Sequence, residues 1–316
     1  MLTRRHLRVK VMQALYAYQS SEGEPLAVGE KLLQLSLERV YDLYIHELSL
    51  LLELRNAALK RMEEGKKKRL PTEEDLNPNT RFVDNPVLLQ LVNNKVLNVH
   101  IERRKIDWTD HAELTRRIFN RILQDDKYIE YMAAPELTYR DHKRLVQHIF
   151  DRYLLDNEDI EFVLEEKSMF WMNDFEQVGT MVGRTLTDFR EGKDHGGTLP
   201  PLYSDPEEDK QFMLDLFRRT ATYNDELTKI VGDKTKNWET DRIASIDILL
   251  LKMAICEFMH IPSIPTRVTM NEYIEIAKEY STPKSKIFIN GVLDKTLADL
   301  KAQGLVKKAG KGLIGG

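Results

Sequence analysis

Basic side chains at one end of a helix are the first sign of chemistry in this chain. Arg4, Arg5, Arg8 and Lys10 fall within residues 1–20 with no acidic residue, so the segment carries +4. Leu7, Val11, Ala14, Leu15 and Tyr18 recur at i, i+4, i+7, i+8 and i+11, one face of a helix over 3–19 with Thr3 as its N-cap. Arg5, Arg8, Met12 and Tyr16 form a ridge beside that stripe. A helix docked by the stripe shows solvent a basic end, where arginines neutralise phosphates and release counterions. The alternative is an ordinary solubilising face. Near the other end of the chain, Lys284, Phe288 and Lys295 share a helix face, with Gly291 leaving open space between them. An exposed aromatic flanked by lysines is a stacking platform for single-stranded nucleic acid; core packing of Phe288 is the equal alternative. Asp247 lies inside the most apolar stretch. Unpaired burial of a carboxylate is costly, so either it has an internal partner or another protein covers it.

Catalytic and metal-binding constellations do not emerge. His142 and His148 are six apart, so on a helix they face different directions. The single cysteine, Cys256, excludes a disulfide scaffold and any zinc site needing several thiolates. Gly310-Lys311 lacks the spacing of a phosphate loop, and Gly312 stands where Ser or Thr would bind magnesium. No Gly-x-Gly-x-x-Gly follows a strand, and no Gly-x-Ser-x-Gly occurs. Glu73-Glu74 reads as solvated charge in a polar loop. The expectation is a protein without catalytic residues, metal or cofactor, and not an enzyme.

The elements that must position these residues are helical. Helices are predicted at 28–64, 86–105, 109–126, 138–155, 158–190, 206–231, 241–259, 269–280 and 283–301, the last with Thr282 as N-cap and Pro283 at N1. The 241–259 helix is apolar almost all round, the mark of a bundle's buried centre. Gly192–Pro201 is the clearest boundary. The fold class is all-α, a bundle of short antiparallel helices. No secretory signal and no run of about 18 apolar residues occurs, so a cytoplasmic protein with no membrane partner is expected.

Three stretches together resemble the NusB family of bacterial transcription antitermination factors. They are Arg4-Arg5-His-Leu-Arg8 leading into Gln-Ala-Leu-Tyr16, then Trp238 to Asp247 running into Ala254, and Ile264 to Lys278 continuing to Phe288-Ile-Asn290-Gly291-Val-Leu-Asp294-Lys295. The resemblance covers about 1–20 and 200–300. It implies an all-helical, non-enzymatic domain that binds the boxA element of nascent ribosomal RNA. It also implies pairing with NusE, the small-subunit ribosomal protein, in an RNA polymerase antitermination complex. Arg5 and Arg8 then match the RNA-contacting basic motif, and Arg4 stands beside them. Phe288 matches an aromatic at the RNA surface, which tips it toward exposure. Tyr16 and Asp247 match the NusE interface. The chain departs from the family at Pro283-Lys284-Ser285-Lys286, where acidic or small polar residues are common.

The larger departure is the stretch 21–199, which opens the domain after its first helix. It holds 26 basic and 34 acidic residues, a net −8, so the whole-chain charge of −4 conceals a family-like part at +4. The expected organisation is 1–20 plus 200–303 as the RNA-binding domain, 21–199 as an inserted helical subdomain and 304–316 as a flexible tail. The insertion's basic runs, Lys66–Arg69 and Arg103–Lys105, have acids nearby and read as solvated faces. A further contact to RNA, to polymerase or to a second copy in a homodimer is the other reading. Two alternative functions remain: a protein-interaction scaffold acting through the insertion, or an accessory domain of ribosomal RNA modification.

Overall fold

Local hydrogen-bonding side chains set the element boundaries of this chain. The computed structural model describes residues 1–21, 23–193, 199–235 and 244–313, and contains no strand among them. In chain order the helices are α1 (Arg4–Ser20), α2 (Leu26–Lys66), α3 (Glu73–Leu76), α4 (Pro86–Val92), α5 (Lys95–Arg104), α6 (Ala112–Ile122), α7 (Asp126–Ala133) and α8 (Tyr139–Ile149). There follow α9 (Glu158–Lys167), α10 (Phe175–Asp188), α11 (Pro206–Thr222), α12 (Asn224–Thr235), α13 (Ser245–His260), α14 (Thr266–Tyr280) and α15 (Ser285–Ala302). Thr3 caps α1 as predicted, its side chain accepting from the His6 amide while His6 returns a bond to the Thr3 backbone. The predicted 86–105 helix is two, because the Asn94 side chain accepts from the Leu97 amide and starts a new helix at Lys95. The predicted 158–190 helix breaks at Ser168, whose extended backbone precedes a short 3₁₀ turn, Met169–Trp171. Asp125 starts α7, unforeseen, by accepting from the Lys127 and Tyr128 amides. The last helix begins at Ser285, with Pro283 in the preceding turn and no side-chain cap from Thr282.

The chain divides into two compact units, Met1–Leu37 with Leu202–Gly316, and Glu38–Pro201. The division falls within α2, so its first dozen residues belong to the first unit. Leu33 and Leu37 are fully buried there, and Glu30 accepts both guanidinium donors of Arg218 at 2.6 and 2.7 Å. At the centre of the first unit stands α13, buried on every side from Leu249 to Phe258 and packed against α1, α11, α12, α14 and α15. Residues 241–243, predicted to open this helix, and most of the motif from Trp238 lie outside the described residues. So do residues 194–198 of the predicted boundary. The segment after α15 is not wholly a free tail: the Ala309 amide donates to the Pro262 carbonyl and the Lys308 ammonium to the Glu257 and Ile261 carbonyls. These bonds tie the segment to the end of α13 and the turn after it, where the Glu257 carbonyl also accepts from the Ile261 amide. Burial pulls the Lys308 pKa down to about 8, with Glu257 opposing.

In the second unit α2 is the spine. Tyr44 hydrogen-bonds Thr185 on α10 at 2.8 Å, the Trp108 indole donates to Ser49 at 2.8 Å, and the Trp171 indole donates to the Arg39 carbonyl at 2.7 Å. His142 bonds Tyr131 while His148 bonds Asp125, so the two histidines have separate structural partners. One carboxylate is less well placed. Glu47 is buried in the middle of α2, and its Oε2 has no hydrogen-bond partner among the described residues. Burial, then the charges of Glu161 and Asp156, raise its pKa well above the usual carboxylate range. A raised folded-state value means its stabilising contribution is complete below the unfolded pKa and is lost as pH rises through the folded one. Glu47→Gln is therefore expected to match the parent near pH 4 and to exceed it by about 1 kcal/mol or more at neutral pH. Thermal unfolding across a pH series reads this, and a difference independent of pH would contradict it.

Candidate functional site

The three arginines of α1 each meet a carboxylate from a different helix. Arg4 Nε lies 2.7 Å from Asp209 and its Nη2 3.1 Å from Glu208, both on α11, with the guanidinium 4.6 Å above the Phe212 ring. Arg5 donates through Nε and Nη2 to Glu272 on α14 at 3.0 and 3.1 Å. The Glu272 bond raises the Arg5 pKa, against a smaller effect of burial. Arg8 donates through Nε at 2.9 Å and Nη2 at 2.7 Å to Glu257 on α13. His6 adds no charge, because burial and then Arg5 hold its pKa down to about 4. The basic end is thus largely neutralised from within.

Arg8 corrects the expectation of a solvent-facing ridge. Its side chain is 1% exposed and that of Glu257 is 0% exposed. The Glu257 carboxylate also accepts from Thr269 Oγ1 at 2.7 Å and from the Tyr273 hydroxyl at 3.3 Å, so both oxygens are shared between two donors. Arg8 Nη1 donates to the Arg4 carbonyl, and the guanidinium sits 5.0 Å from the Phe212 ring centre. Burial works most strongly against the Arg8 cation, yet the Glu257 charge and its hydrogen bonds together outweigh it and the pKa is raised. Leu7 through Met12 are consecutively buried, so α1 is enclosed there and Arg8 cannot present its fork to solvent. Glu257 was missed in the sequence although it stands in the same apolar run as Asp247, where the argument from buried charge applies equally.

Phe288 is also corrected: it is 8% exposed and packs inward on α15. The open space at Gly291 is real, since a Cβ there would meet nothing within 4 Å. Lys284 and Lys295 are exposed on either side of it. The apolar side chain displayed on this helix is Ile287, 70% exposed. The sequence favoured Phe288 because aromatic type was visible and burial was not.

Asp247 is buried near the start of α13, and one of its oxygens accepts from Ser285 Oγ at 2.7 Å. Ser285 also bonds Ser281 and Thr282, so this cluster ties the start of α15 to the start of α13. The other oxygen, Oδ1, has no partner among the described residues. Ser285 is thus an internal partner for one of the two oxygens. A carboxylate in the first turn is also favoured by the helix dipole. Tyr16 is 47% exposed near the end of α1. No group of His, Cys, Asp and Glu able to hold a metal ion occurs among the described residues.

Residues 202–298 match the model of the NusB family. Over 121 residues the chain is 46% identical to the transcription antitermination protein NusB of Salinibacter ruber, covering 38% of this chain and 75% of that protein. It is 37% identical over 105 residues to the NusB of Chloroherpeton thalassium, covering 33% and 50%. It is 38% identical over 89 residues to the NusB of Finegoldia magna, covering 28% and 65%. No solved structure matches the chain.

Breaking a buried, hydrogen-bonded ion pair leaves an uncompensated charge, at a cost of about 3–5 kcal/mol. Arg8→Ala is expected to lose that much in urea unfolding, and Arg8→Lys to recover only part of it because one ammonium cannot reproduce the two-pronged contact. A loss below about 1 kcal/mol for Arg8→Ala would mean the pair does not hold the unit together.

Proposed function

The chain belongs to the NusB family, and from that premise we propose that it is a non-enzymatic transcription antitermination factor that binds a boxA-type ribosomal RNA leader together with NusE, as part of an RNA polymerase antitermination complex. The observation that carries the RNA assignment is the stripe on α15, where Lys284 and Lys295 flank the open surface at Gly291. Backbone can approach closely there, and two exposed ammonium groups, Lys284 just before the helix and Lys295 within it, are available to phosphates. Arg5, 36% exposed in its side chain, extends the basic surface; its pair with Glu272 is partly solvated and therefore exchangeable. Arg4, 30% exposed, does so less, because buried Asp209 holds it. Arg8 serves as a positioning residue for α1, and Phe288 supports the stripe from beneath. Tyr16 suits a NusE contact by its exposed apolar area, and Asp247, buried and held by Ser285, is assigned to the same interface from the family resemblance. The unit 38–201 is an inserted helical subdomain on this reading. No helix among the described residues is long and apolar enough to cross a membrane.

Replacing both Lys284 and Lys295 by Ala is expected to lower the salt slope of boxA RNA binding by about 1.4, two phosphate contacts on a single strand. An unchanged slope in an anisotropy titration would remove α15 from the RNA surface. Tyr16→Ala is expected to weaken NusE binding by at least about 1 kcal/mol while leaving the melting temperature near that of the parent, as befits an exposed interface aromatic. Calorimetric titration of NusE reads this, and full affinity with the variant would place the partner elsewhere.

A further inference from the structure

The second unit is acidic, with 25 basic and 31 acidic residues over 38–201, yet it gathers arginines at one place. Arg117, Arg121 and Arg152 line a hollow of about 480 Å³ with Asn120, Gln124 and Tyr153. Arg117, Asn120 and Arg121 follow at i, i+3 and i+4 on the exposed face of α6, Gln124 stands in the turn just after it, and Arg152 comes from the π-helical turn Phe150–Leu154. Arg121 leans on the Tyr153 ring, 5.8 Å from its centre.

What sets this group apart from the arginines of α1 is its lack of internal neutralisation. Arg121 and Arg152 have no carboxylate partner among the described residues. The nearby acid, Asp125, is already engaged: it accepts from the Tyr153 hydroxyl at 2.8 Å, from His148 at 3.0 Å and from the Lys127 and Tyr128 amides. Glu113 also lines the hollow and is held by Arg116. Arg117 pairs with Asp159 at 2.8 Å, but both are more than half exposed and such a pair exchanges readily.

We propose that this hollow binds the phosphate backbone of single-stranded RNA. Arg117 and Arg121 are one helical turn apart, a rise of about 6 Å, a separation suited to successive phosphates of one strand. Arg152 adds a third cation to the same hollow from a different segment. The amides of Asn120 and Gln124, interleaved with the arginines, offer donors and acceptors to sugars and base edges, which a simple anion would not use. The choice of RNA as the polyanion rests on the proposed function; the location and charge of the hollow do not.

The test uses the full chain and the double variant R121Q/R152Q, whose substitutions lie on the surface and whose circular dichroism should equal the parent's. A uridine oligonucleotide of about 16 nucleotides and a short boxA RNA are titrated across a salt series. The double variant is expected to bind the uridine strand about tenfold more weakly, with the salt slope lower by about 1.4, and to bind boxA RNA as the parent does. An unchanged affinity and slope for the uridine strand overturns the proposal. So does weakened binding of tripolyphosphate with the uridine strand unaffected, which makes the hollow a site for a free anion. If boxA RNA fails to bind the parent while the uridine strand behaves as expected, the proposed function falls and the hollow stands.

Discussion

A single buried ion pair organises the first unit. Arg8 and Glu257 are 249 residues apart in the chain and meet by two hydrogen bonds, out of contact with water. Each charge alone would be prohibitively costly to bury, so the pair makes the docking of α1 on α13 nearly all-or-none. Thr269 and Tyr273 complete the carboxylate's shell, which brings α14 into the same arrangement. The Glu257 backbone carbonyl accepts from Lys308, so the segment after α15 is held at the same residue. Three other parts of the chain thus converge on one side chain of α13 and its peptide.

That arrangement changes what the basic end of α1 can do. Spacing along one helix suggested an open arginine surface, but α11, α13 and α14 each return a carboxylate to it. Exposed lysines without a carboxylate partner among the described residues stand instead around α15, Lys284 just before it and Lys295 within it, about a glycine that leaves room for another backbone. In the second unit the logic is inverted. Within a predominantly acidic unit, Arg121 and Arg152 meet in one hollow without a carboxylate partner among the described residues, because Asp125 is committed to capping α7 and to holding His148 and Tyr153. Net charge predicted neither location, since what matters for an anion is the charge that remains after internal pairing.

Much of the helical framework was legible in the sequence. The all-α class, the Thr3 cap, the long α2 and the buried centre at α13 follow from periodicity, composition and local hydrogen bonding. The missed breaks have local causes too: Asn94 and Asp125 each start a helix by capping it, and both lie in segments where the apolar period alone suggests continuity or a loop. The boundary of the first unit was less legible. Residues up to Leu37 join it through Leu33, Leu37 and the Glu30–Arg218 pair, contacts across nearly two hundred residues.

The amino-acid sequence by itself determined the secondary structure class, the position of the hydrophobic centre and, through its motifs, the family. These depend on local propensity, on the repeat of apolar side chains and on residue identity, all of which are read along one dimension. Only the tertiary structure decided that Arg8 is buried and Arg5 half-exposed, that Phe288 turns inward while Ile287 turns out, and that Asp247 is held by Ser285. Each of those outcomes is a competition for burial and for a hydrogen-bond partner, and the winning partner comes from a helix distant in sequence.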